Sequence, residues 1–296
     1  MTKLESATVD EPTSSTPPAN RPAPADPFVY GKYGDVLWFA AVITLVFALL
    51  RMSIDVVNGP DGFRGLRPEN CLSVTAGLVL GPIGGLACSL GNLISDCFHG
   101  MYQTAFLGFA GNSIMAFVPY KLWMMLACER PDAHTWMHLL RYVWVLAVGA
   151  MACACFLGIG LDRIYFRWYD GHIVTMFTNN FVFSLAFGLP LFIVLTSERV
   201  GVMLKPKSAF GKFFTYGLPI RVVRKTENVR WTILAALTAS LTVLMLLINN
   251  GQNVDDSFLV QVFAVVSSIL LFNICVLPIA GRNQGAQGAT NLPSPE

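Results

Sequence analysis

The chain has 296 residues, 54% hydrophobic and only 13% charged, with a formal net charge of +2. A mean hydropathy of +0.56, with the apolar residues gathered in long blocks, predicts an integral membrane protein; a soluble core would not need so many. The small net charge, carried by localised basic segments, argues against nucleic acid as a partner. Seven cysteines, Cys71, Cys88, Cys97, Cys128, Cys153, Cys155 and Cys275, show neither zinc nor redox spacing. Their odd number and apolar surroundings predict buried free thiols and no disulfide.

Residues 1–34 are rich in Pro, Ser, Thr and Ala and lack the apolar content that offsets ordering entropy, so they read as a disordered tail with no signal-peptide core. Residues 35–198 read as six helices. The first, Asp35 to about Met52, is long enough to cross ~30 Å of hydrocarbon and ends at Arg51 and Asp55. A loop to Arg67 follows, with the turn cluster Asn58-Gly59-Pro60-Asp61-Gly62, and delivers Arg64, Arg67, Glu69 and Asn70 to the mouth of the bundle.

The central stretch is Cys71–Phe98, almost wholly apolar but interrupted by Gly81-Pro82-Ile83-Gly84-Gly85. Proline removes a donor and glycine weakens a helix, so two shorter helices are predicted, Asn70–Leu80 and Pro82–Phe98, meeting at a tight turn. On the second, Asn92, Ser95, Asp96 and His99 share one face. An ionisable group at membrane depth is costly unless it faces the bundle interior or a wet cavity, which marks Asp96 as a functional-site residue. The plainer alternative is that Asp96 and His99 lie near the interface, solvated and binding nothing.

Gln103–Leu126 is the next predicted helix and carries Asn112, whose plainer role is a hydrogen bond between helices. Leu139–Leu161 follows, with Ala150, Ala154 and Gly158, and Gly149 and Cys153, at four-residue spacing that lets helices approach closely in lipid. An aromatic connection (Tyr165, Phe166, Trp168, Tyr169) resembles an interfacial belt. The sixth helix, about Ile173 to Thr196, carries Thr178-Asn179-Asn180 and then Gly188-Leu189-Pro190. Residues 199–230 form a basic loop, 231–281 a two-helix hairpin (Trp231–Ile248 and Phe258–Ile279), and 282–296 a polar tail.

The eight basic residues at 197–230 and the acidic 249–257 loop fix orientation: the first is cytoplasmic, the second outside. Counting back through a broken central stretch puts the 53–69 loop outside and both termini in the cytoplasm, a multi-pass arrangement in the cell membrane. Were 71–98 one continuous span, that loop would be cytoplasmic and the N-terminal tail outside. In the broken arrangement Asp96, His99, Gln103, Asn179 and Asn180 converge with Arg67 and Asn70 at the outer face: apolar walls, a few polar groups, an opening toward solvent. No nucleophile elbow, phosphate-binding loop or metal-ligand spacing of His99, His134, His138 and His172 is present, so neither enzymatic activity nor a cofactor is expected.

The block GLVLGPIGGLACSLGNLISDCFHG followed by GFAGNSIMAFVPYKLW resembles the substrate-binding S components of energy-coupling factor vitamin transporters, the riboflavin type especially. Gly81-Pro82, Asn92-Leu93-Ile94 and Ala110-Gly111-Asn112 occupy the places of that family's motifs, and Asn179-Asn180 with Gly188-Leu189-Pro190 looks like its sixth helix. The likeness covers about residues 35–198. It implies an all-α membrane bundle with a six-helix core that takes a vitamin-like small molecule from outside and docks on a transmembrane coupling protein driven by ATPase subunits. In that setting Arg67, Asn70, Asn92, Asp96, His99, Gln103, Asn112, Asn179 and Asn180 are the expected substrate-binding residues. The family's Ala-x-x-x-Ala docking pattern is not clean on the first helix, where Thr44 and Leu45 follow Ala40 and Ala41, although Ala235 and Ala239 show it on the seventh. The two helices after Lys225 are additional. A second resemblance is to membrane sensory domains of the MASE1 type, which share a Gly-Asn helix and a late Gly-x-x-x-Pro helix but usually feed a cytoplasmic output module.

Overall fold

The computed structural model describes residues 33–58, 67–127, 131–133, 135–165, 172–197, 227–249 and 257–276. Every regular element among them is helical: α1 Tyr33–Asn58, a 3-10 turn Pro68–Asn70, α2 Cys71–Leu80, α3 Pro82–Phe98, α4 Tyr102–Ala127, α5 Trp136–Tyr165, α6 His172–Phe183, a π-turn Ser184–Gly188, α7 Leu189–Thr196, α8 Glu227–Asn249 and α9 Phe258–Val276. The expectations for the tail at 1–32, the turn cluster at 59–66, most of the aromatic connection, the basic loop, the acidic loop and the C-terminal tail fall outside the described residues.

The break in the central stretch has a local cause. Gly81 adopts φ 69° and ψ −152°, a backbone region open essentially to glycine alone. Pro82 then starts α3, where its missing N–H removes nothing from the helix. The two helices run back along each other: Cys88 of α3, Ala76 of α2 and Phe47 of α1 pack in one buried cluster. The hairpin is close-packed because its glycines carry no Cβ. One added at Gly84 would strike the Ala76 carbonyl, and one at Gly77 would sit 2.5 Å from the Ala116 carbonyl of α4.

Helix α1 runs on to Asn58, past the end expected at Arg51, because Arg51 is drawn inside: it is buried and its Nε stands 3.7 Å from Glu69 Oε1. Between α4 and α5 the ring of Pro119 lies over Gly149, whose added Cβ would come within 2.5 Å of it. Ala150, Ala154 and Gly158 are buried, as the small-residue spacing predicts. Trp123, Tyr142 and Phe192 form the aromatic centre of the main core, with ring centroids 5.1 Å apart for Tyr142–Phe192 and 5.9 Å for Trp123–Phe192. Leu234, Leu237, Leu241, Leu244 and Ile248 of α8 and Val260 and Ile274 of α9 belong to that same core, so the C-terminal hairpin is built into the bundle. Ser240 and Ser267 join its two helices at 2.7 Å.

Among the described residues three stretches are long and apolar enough to cross a membrane, Trp136–Asp162, His172–Thr196 and Trp231–Asn249; Trp38–Ile54 and Phe258–Ile274 are shorter apolar helices. The second of these is interrupted near its middle. Pro190 cannot donate to the turn before it, and the ladder slips there: the Leu189 N–H bonds the Ser184 carbonyl, a single π-turn of the kind found where a helix is interrupted. Neighbours take up the carbonyls of this turn. Tyr142 Oη donates to Ser184 O at 3.1 Å, and Thr75 Oγ1 to Gly188 O at 3.1 Å.

Candidate functional site

At the end of the bundle where α1, α3 and α5 finish and α2, α4 and α6 begin, polar side chains lie inside the protein. On α3 the i, i+4 spacing stacks Asn92 above Asp96, and Asn92 Nδ2 donates to Asp96 Oδ2 at 2.7 Å. Both are buried. The pair fits against α4 only because Gly108 is opposite: a Cβ there would come within 2.5 Å of Asn92 Nδ2 and 2.7 Å of Asp96 Oδ2. Among the described residues Asn92 Oδ1 and Asp96 Oδ1 have no hydrogen-bond partner. A buried acceptor left so costs about 1–3 kcal/mol, more when charged.

A second chain of contacts joins the start of α2 to α6 and α5. Asn70 Nδ2 donates to Asn180 Oδ1 at 2.5 Å, Asn180 Nδ2 to Cys153 Sγ at 3.4 Å, and Ser184 Oγ to the Asn70 carbonyl at 3.3 Å. Asn70 Oδ1 is a further buried acceptor with no hydrogen-bond partner among the described residues. The 3-10 turn before α2 sets these positions, since the Asn70 N–H closes on the Arg67 carbonyl at 3.1 Å and places Glu69 against Arg51. Arg67 is half-buried, and its charge, with those of Arg51 and His99, acts on Asp96.

Of the residues predicted from sequence, Arg67, Asn70, Asn92, Asp96 and Asn180 are thus brought together. Gln103 and His99 are exposed; the His99 ring bonds back to the Ser95 carbonyl at 2.7 Å, while its charge still acts on Asp96. Asn112 is deeper and committed to packing, accepting from Ser73 Oγ at 3.0 Å and donating to Gly108 O at 3.1 Å. Asn179 is half-buried beside Asn180. Sequence reasoning placed Arg51 and Glu69 at the rim, whereas both are buried; it assigned no role to Ser184 and gave Cys153 only a packing role. Ser184 follows Asn180 by one turn, a spacing that could have revealed it; Cys153 looked like any small residue in its stripe.

The opposite end of the bundle carries a smaller cluster: Arg141 stacks over the buried Trp123 ring at 5.4 Å, and His138 pairs with Asp132. Among the described residues no group of three His, Cys, Asp or Glu could hold a metal ion. No family model, curated protein or solved structure matches the chain.

Proposed function

We propose that this chain is a multi-pass membrane protein that binds a small molecule from the outer side and hands it to an ATP-driven coupling module, as the substrate-binding subunit of an uptake transporter. The supporting observation is the Asn92–Asp96 pair, buried in an apolar helical bundle with two oxygens unpartnered. An ionisable group inside an apolar bundle is costly unless it is paired or reached by a polar partner. A ligand group that donates to those oxygens accounts for their retention.

The exposed apolar side chains of α1 (Trp38, Leu45, Leu49) and α9 (Phe258, Val265, Ile269, Phe272) suit contact with lipid. Orientation follows the positive-inside bias of the 197–230 segment, which puts the cluster on the outer side and both termini in the cytoplasm. Uptake by cells expressing Asp96→Ala or Asn179→Ala tests the proposal. Both variants are expected to insert in the membrane at wild-type levels and to lose most of the uptake; undiminished uptake in both removes the site.

A further inference from the structure

We propose that Trp123 and Arg141, at the opposite end of the bundle from Asp96, hold the phosphate of an anionic phospholipid. This rests on the membrane reading above and not on the carrier role. Arg141 stands on α5 with its Cζ 5.4 Å from the centre of the Trp123 ring on α4. Trp123 is wholly buried and meets two further rings at an angle, His138 at 5.8 Å and Phe192 at 5.9 Å between centroids. The indole is held in place by close packing.

Both groups lack an acceptor. Trp123 Nε1 and Arg141 Nη1 are buried and, among the described residues, have no hydrogen-bond partner. Each atom can only donate, so no amide flip or change of tautomer relieves it, and a buried donor left so is costly. The carboxylate in this cluster is engaged elsewhere: Asp132 pairs with His138, and among the described residues no ion pair reaches Arg141. Stacking on the indole accounts for where the cation lies but gives neither N–H a partner. What completes the cluster is an acceptor that carries negative charge, and a phosphate offers a guanidinium two oxygens at once.

The surroundings select a lipid over a soluble anion. Met137, Leu140 and Arg141 follow i, i+3, i+4 spacing and share a face of α5. Met137 and Leu140 are exposed, whereas Arg141 is half-buried. Trp136, also exposed, opens the helix as interfacial tryptophans do. Arg141 lies ~7.5 Å further along at 1.5 Å per residue, a depth near the boundary between headgroup and hydrocarbon. An acyl chain lying on Met137 and Leu140 leaves its phosphate beside Arg141. The basic 197–230 segment orients this end toward the cytoplasmic leaflet, whose surface is anionic.

Thermal unfolding of the full chain purified in detergent tests the site, with dioleoylphosphatidylglycerol, dioleoylphosphatidylcholine or inorganic phosphate added. Phosphatidylglycerol is expected to raise the melting temperature by about 5 °C at concentrations far above its Kd, while phosphatidylcholine and inorganic phosphate leave it unchanged. Arg141→Gln and Trp123→Phe should each weaken phosphatidylglycerol binding by ~10-fold or more. Since Trp123→Phe also loosens the core, native mass spectrometry of Arg141→Gln supplies a second measure: fewer phosphatidylglycerol adducts than wild type are expected on the folded chain. Equal shifts from both lipids, a shift from phosphate alone, no shift with phosphatidylglycerol, or undiminished adducts on Arg141→Gln each overturn the proposal. Uptake plays no part in these readouts, so the carrier role can fail while the lipid shift stands, and the reverse.

Discussion

At the level of single side chains, the site depends on missing atoms as much as on present ones. Gly108 leaves the space in which Asn92 and Asp96 lie, so Gly108→Val should push both aside, with an overpacking cost of ~1–3 kcal/mol and loss of uptake while helical circular dichroism is kept. Glu69 and Arg51 behave differently, because removing one member of a buried pair strands the other. Glu69→Ala is expected to lower stability by about 3–5 kcal/mol, and the joint replacement Arg51→Met with Glu69→Leu to recover most of it; thermal unfolding in detergent reads both. A double variant no more stable than the single one would show that the pair is held for more than mutual neutralisation.

At the level of elements, two interruptions shape the bundle, and each has its own chemistry. The reversal at Gly81 depends on a backbone conformation that a Cβ opposes, so Gly81→Val should cost about 1–3 kcal/mol and appear as an earlier thermal transition. The π-turn at 184–188 follows from Pro190, and its carbonyls are held by Tyr142 and Thr75. Tyr142 also stacks on Phe192, while Ser184 reaches the Asn70 carbonyl. Through these hydrogen bonds and ring contacts the turn links the polar cluster at one end to the aromatic core toward the other.

At the level of the whole molecule, Asp96 and the Gly81 turn lie at opposite ends of α3, and orientation is the property to measure. A cysteine at the exposed Phe98, in a background lacking other cysteines, should react with a membrane-impermeant maleimide on intact cells, and one at Ile83 should not. Ile83 is half-buried and takes the substitution where Gly84, packed on Ala76, would not. Labelling of Ile83 from outside would invert the bundle and move the site to the cytoplasm.

Helices, their apolar length, the reversal at Gly81-Pro82 and the shared face of Asn92 and Asp96 were all legible in the linear order of residues, because glycine, proline and 3.6-residue periodicity act within a turn or two. Pairing across helices was not legible. That Arg51 turns inward to Glu69, that Asn180 meets Asn70, that His99 closes its own helix and that Asn112 is absorbed by Ser73 all depend on how far each helix slides and rotates against its neighbours. That register is set by where glycines let two backbones touch, as Gly77 does at Ala116. Close contact between distant parts of the chain has no local trace, so only the tertiary structure decided which polar groups share the interior and which are left to solvent.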